Sequence, residues 1–137
     1  MKWEESYDLL GKSVTRLREA SDKTEKHKLD KEIYRDATIQ RFEFTVELFW
    51  KTLKRILENE KIDARTPKQV LRESYQVGLI NDEEYWLMML EDRNRSSHTY
   101  SEKAAKEVYE RIKKYVIFLE KEWESVGAKY PFSKLTH

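Results

Sequence analysis

Apolar residues recur every three or four positions over most of this chain, the spacing of one face of an α-helix. Trp3, Tyr7, Leu10, Val14 and Leu17 step along the first segment as a narrow amphipathic seam, which fades into SDKTEKHK, a polar connector. A longer helix is expected from about Leu29 to Glu60. Phe42, Val46, Phe49, Leu53 and Ile56 form its main stripe, while Phe44, Leu48 and Trp50 lie off it. One face therefore packs a core, and the other needs cover from a second helix or a partner subunit. Thr66 and Pro67 suit the N-cap and first position of a short helix that Gly78 ends. Asn81 and Glu84 have capping-box spacing ahead of EYWLMML. Thr99 and Glu102 repeat that spacing, with Ser101 as an alternative cap, before a last helix to about Val126. Gly127 and Pro131 are expected to close it, leaving about 128–137 as a loosely ordered tail. The pattern predicts one all-α domain over 1–137, an antiparallel up-and-down four-helix bundle with one extra short helix.

Composition narrows the chemistry. With Gly 3 and Pro 2 in 137 residues, and 39% of residues charged, long amphipathic helices are the expected solution. A net charge of +1 supplies no global field for nucleic acid, so an RNA site has to be a local patch. The absence of Cys excludes disulfides, thiolate catalysis and Cys-ligated metals. No run approaches eighteen apolar residues, and MKWEESYDLL does not read as a signal peptide, so a cytoplasmic protein with no membrane partner is expected. There is no Gly-rich phosphate loop and no H-E-x-x-H, and neither a metal site nor a cofactor is expected.

The stretch EDRNRSSHTY, residues 91–100, interrupts the most regular apolar pattern of the chain. At about 100° per residue, the stripe of Trp86, Leu87 and Leu90 continues through Arg93, Asn94, Ser97 and, at its edge, His98, then resumes at Ala104, Ala105, Val108, Ile112 and Tyr115. Polar groups thus take positions that packing would give to leucine. A buried guanidinium costs several kcal/mol unless it is paired, roughly the scale of removing one partner of a buried ion pair. Arg93 either pairs with an acid such as Glu43 or Glu47, or binds an anion. An arginine fork suits a phosphate, and a histidine moves a proton near neutral pH. Together they have the makings of a metal-free phosphodiester-cleaving site. Arg93 and His98 are about 140° apart on an ideal helix, so two chains across a two-fold axis would serve one phosphate better than one chain.

Arg93-x4-His98-x-Tyr100 resembles the R-x4-6-H motif of the HEPN superfamily. IQRFEFTVELFWKTLK (39–54), TPKQVLRESYQVGLI (66–80) and WLMMLEDRNRSSHTY (86–100) are similar to the group called nucleotidyltransferase substrate-binding proteins, over about residues 30–120. The resemblance implies an all-α bundle that forms homodimers. It implies a toxin of a toxin–antitoxin pair, a metal-independent ribonuclease with a composite site. Arg93 and His98 would be catalytic, and Asn94 and Ser97 supporting. A minimal nucleotidyltransferase antitoxin would transfer AMP to Tyr100. The older name of the group carries a different reading, a non-catalytic nucleotide- or substrate-binding subunit. Other positions suggest blander roles: His27 in a solvated turn, Glu43 and Glu47 as ion-pair partners of Arg93 or Lys51, and Lys23, Lys26, Lys28 and Lys31 as a solvated loop rather than an RNA patch.

Overall fold

A computed structural model describes residues 2–96 and 101–131. Five helices follow in order: α1 (Trp3–Lys26), α2 (Lys31–Asn59), α3 (Pro67–Gln76), α4 (Glu83–Ser96) and α5 (Glu102–Lys129). Three hydroxyl pairs lace α1 to α2: Ser6 with Thr52 (2.6 Å), Ser13 with Thr45 (2.7 Å) and Thr24 with Thr38 (3.1 Å). One number falls as the other rises, so the helices run antiparallel. The same logic sets α4 against α2, through Phe49–Trp86 and Glu47–Arg93, and α5 against α4, through Glu122–Trp86 and Asp92–Arg111. The architecture is the expected up-and-down four-helix bundle, with α3 as the extra short helix.

The main stripe of α2 is fully buried, from Phe42 through Val46, Phe49 and Leu53 to Ile56. It meets Leu10, Val14 and Leu17 of α1, Trp86 and Met89 of α4, and Ile112, Tyr115 and Leu119 of α5. Each such side chain contributes on the order of 1.5–3 kcal/mol by leaving water. Phe44 stays 62% exposed, while Leu48 and Trp50 are half-buried at the edge of the core.

Three boundaries differ from the sequence pattern. The polar run SDKTEK is helical, and α1 continues through it to Lys26. Ser21 and Thr24 face inward there, and Thr24 donates to the Ala20 carbonyl as well as meeting Thr38, so a buried hydroxyl is satisfied where an apolar side chain was looked for. Helix α4 is capped not by Asn81 but by Asp82, whose Oδ1 accepts from Tyr85 N–H at 3.1 Å. Asn81 instead spends its backbone N–H and its side-chain amide on the buried carboxylate of Glu122, each at 2.8 Å. Gly127 lies inside α5 rather than beyond it. A Cβ there would stand 2.0 Å from the Tyr7 hydroxyl, so this glycine serves close approach of α1, not termination. Thr66 and Pro67 do open α3, and Thr66 with Gln69 completes a capping box. Gly78 takes φ +82 where that segment turns back.

Candidate functional site

Arg93 enters from the last turn of α4. The buried line of that helix is Trp86, Met89 and Leu90, with Leu87 only half-buried, so the core faces a direction rotated away from the stripe drawn through Leu87. Asn94 then lies about 80° from Trp86, past the edge, and is exposed. Asp92 and Ser96 are the buried polar residues of the stretch, and Arg93, about 20° from Trp86 on the core-facing line, is half-buried near the end of the helix. The expectation that Asn94 shares the inward register of Arg93 is corrected by that rotation. Asn94 instead borders a shallow groove between α4 and α5 with Arg95, Ala104, Val108 and Arg111.

The Arg93 guanidinium reaches α2. Its Nη2 stands 3.5 Å from Glu47 Oε2, an ion pair longer than a good hydrogen bond. Its Nε is buried and meets no acceptor among the described residues. Glu47 is shared: it also accepts from Trp50 Nε1 at 3.0 Å and pairs with Lys51 Nζ at 3.4 Å. Of the two acids expected from the sequence, Glu43 and Glu47, it is Glu47 that pairs with Arg93. Glu47 thus serves two cations and an indole, and among the described residues it is the acid that Arg93 meets. The Arg93 side chain is 28% exposed, and a guanidinium fork has the geometry to meet a planar anionic oxygen pair.

Asp92 was not apparent from the pattern. Its carboxylate takes a two-point grip from Arg111, Nε to Oδ2 at 2.7 Å and Nη2 to Oδ1 at 2.9 Å, and also accepts from the buried Tyr115 hydroxyl. Burial, and then the Asp92 carboxylate, push the Tyr115 hydroxyl well above the ordinary phenol range. Ser96 Oγ donates to the Arg93 carbonyl at 2.9 Å and secures the end of α4. On the far side of residues 97–100, Ser101 caps α5 by accepting from Ala104 N–H at 3.1 Å. Glu102 then receives a two-point contact from the buried Arg35 of α2, at 2.7 and 3.0 Å. That arginine holds the Glu102 carboxyl below the usual carboxylate range. On the two sides of 97–100, Asp92, Arg93 and Glu102 are thus each tied to a neighbouring helix, while Ser96 and Ser101 secure the ends of their own. Ser97, His98 and Tyr100, with the capping-box candidate Thr99, lie outside the described residues, as does His137, and it is the alternative, Ser101, that caps α5.

The remaining candidates have ordinary partners. His27 stacks on Tyr34 with ring centroids 4.7 Å apart. Lys31 pairs with Glu25 at 3.8 Å, and Lys23, Lys26 and Lys28 surround the α1–α2 turn, at the end of the bundle where α4 stops and α5 begins. Among the described residues no group of three or more His, Asp or Glu is placed to hold a metal, and no helix is long and apolar enough to cross a membrane.

This helical bundle is a fold already seen in solved structures. A Thermus thermophilus protein matches it with a TM-score of 0.75 and 33% identity, over 85% of this chain and 98% of its own. A Haemophilus influenzae protein, described as revealing the fold of a substrate-binding domain of a nucleotidyltransferase, matches with a TM-score of 0.66 and 28% identity, over 90% and 96%. The chain belongs to the family described as "Nucleotidyltransferase substrate binding protein like", whose model matches residues 5–126. A Haemophilus influenzae relative named probable ribonuclease HepT is 39% identical over 84 residues, and the match spans 58% of each chain.

Proposed function

We propose that this protein is a HEPN-type toxin, a metal-independent ribonuclease whose composite R-x4-H site forms across a homodimer. Arg93 binds the scissile phosphate and offsets the charge that builds on it. His98 moves the proton: the ribose 2′-oxygen attacks phosphorus, the bond to the 5′-oxygen breaks, one proton leaves the 2′-hydroxyl and one reaches the departing oxygen. Asn94 and Ser97 support the site. A cognate minimal nucleotidyltransferase neutralises it by joining the Tyr100 phenol oxygen to the α-phosphate of ATP, with loss of pyrophosphate and a proton. The attached phosphate then competes for Arg93.

The observation that carries this reading is the state of Arg93, held half-buried by one shared carboxylate at 3.5 Å with its buried Nε unmatched among the described residues. Arg111 and Arg35 each grip a carboxylate at two points; the buried Nε of Arg35 is likewise unmatched among the described residues, so it is the single long contact to a shared acid that sets Arg93 apart. The name of the Haemophilus influenzae relative supports the same chemistry. The family description favours a second reading, a non-catalytic subunit that binds nucleotide or substrate for a nucleotidyltransferase.

Cleavage of total RNA by the purified chain in EDTA separates the two. The ribonuclease reading expects cutting by the wild type and loss of it in Arg93→Ala and His98→Ala with helicity retained. No cutting by protein whose mass shows Tyr100 free of AMP would favour the binding subunit, and ATP affinity that depends on Arg93 would then be measured.

A further inference from the structure

Most cations that reach the core edge of this molecule are matched to an acid. Arg18 holds Glu120, Arg35 holds Glu102, Arg111 holds Asp92 and Arg93 shares Glu47. One groove breaks the rule. It runs between the outer faces of α1 and α2, floored by Leu9, Phe44 and Leu48 and rimmed by Lys12, Arg16 and Arg41, with no acidic residue in its lining. None of the three cations makes an ion pair among the described residues. Leu9 is 42% and Phe44 62% exposed. In a chain of net charge +1, this groove gathers three cations and no acid in its own lining around an apolar strip, although Lys12 and Arg16 also border the adjoining groove that holds Asp8, Glu19, Glu120 and Glu124.

We infer that this groove docks a helical segment of another protein, one that presents an apolar ridge flanked on both sides by Asp or Glu. Two antiparallel helices offer a trough that receives the side-chain ridge of a third. Lys12 and Arg16 stand on the α1 side and Arg41 on the α2 side, so acids are called for on both flanks of the incoming helix. Charge decides against the other occupants. A second copy seated face to face on a two-fold axis would set these cations against their own equivalents, and like charges across an interface are costly. Single-stranded nucleic acid satisfies the cations but wants aromatic platforms, and two of the three floor side chains are aliphatic. Phe44 precedes Glu47 by three residues on α2, so the two side chains are surface neighbours. A helix docked on Phe44 therefore lies beside the carboxylate that holds Arg93. The inference stands whether or not the chain cuts RNA.

The probe is a hydrocarbon-stapled peptide with leucines along one face and glutamates on both flanks, titrated by fluorescence anisotropy into the full-length chain. Its counterpart carries lysine at every glutamate, and oligouridine is the nucleic-acid control. Saturable, salt-sensitive binding of the acidic peptide is expected, weakened about tenfold or more by Phe44→Ser and separately by Arg41→Glu. Both positions face solvent, and circular dichroism checks that each variant keeps its helices. The proposal is overturned if the acidic peptide does not saturate, or if the lysine peptide binds equally. It is also overturned if these variants abolish oligouridine binding and spare the peptide, or if sedimentation shows a dimer that Phe44→Ser dissociates.

Discussion

A carboxylate next to the candidate catalytic arginine sets the rotation of α4. Asp92 is buried, and its three hydrogen bonds all go to α5, from Arg111 and Tyr115. Asp92→Ala leaves the Tyr115 hydroxyl buried without its acceptor and frees Arg111, at an expected cost of about 2–4 kcal/mol in urea unfolding. Asp92→Asn keeps an acceptor for Tyr115 and is expected to cost about half as much. Tyr115 also makes stability depend on pH. Its folded-state pKa is raised above the ordinary 10.0, first by burial and then by Asp92. The folded chain therefore keeps a proton that the unfolded chain gives up near pH 10. The stabilisation is complete below that pH and drains away as pH rises further. Urea midpoints from pH 9 to 11 should fall, and in Tyr115→Phe the decline should be shallower by up to about 1.4 kcal/mol per pH unit. Arg93 was legible at this scale, with Glu43 or Glu47 as its acid, because an arginine in an apolar stripe demands an acid within reach; the structure selects Glu47. Asp92 was not, because its partners sit on another helix, 19 and 23 residues further along.

At the scale of the element, local signals were reliable where the helix end is exposed and failed where it is packed. Thr66 and Pro67 open α3 as their chemistry requires, since the orphan N–H groups there have no other acceptor. Asn81 has capping chemistry too, but the buried Glu122 claims both of its donors, and Asp82 caps α4 instead. Gly127 has the character of a helix stop, yet α5 passes through it because α1 lies against it. Tyr7 stacks on Trp123 at 4.7 Å and donates to the Trp123 carbonyl at 2.8 Å, while Trp123 Nε1 returns a bond to the Tyr7 carbonyl at 3.0 Å. Gly127→Ala gains about 1 kcal/mol of helix propensity but drives a methyl into the Tyr7 ring, so a net loss of about 1–3 kcal/mol is expected. In a Tyr7→Ala background the same change should become neutral or stabilising. A double-mutant cycle by urea unfolding reads this sign reversal, and no reversal would mean that the glycine serves something other than the Tyr7 contact.

The whole molecule carries the proposed composite site, and mixing variants tests it. Neither Arg93→Ala nor His98→Ala homodimers should cut RNA. If each site takes its arginine from one chain and its histidine from the other, co-expressed variants form mixed dimers with one intact site and regain part of the activity. If both groups act within one chain, the mixture stays inactive. Much at this scale followed from the chain alone. The three-and-four spacing of apolar residues and the scarcity of Gly and Pro determined an all-α fold and the α2 stripe at its core, and the short connections between helices an antiparallel bundle, because burying apolar faces depends on local periodicity. The same reasoning isolated Arg93 as a cation with no apolar justification. Tertiary structure alone decided which acid answers which cation, where α4 is capped, why Gly127 lies within a helix, and that Lys12, Arg16 and Arg41 meet around an apolar groove whose own lining holds no acid. Those outcomes depend on charges and rings brought together from distant parts of the chain, and periodicity along one helix says nothing about what faces it across the bundle.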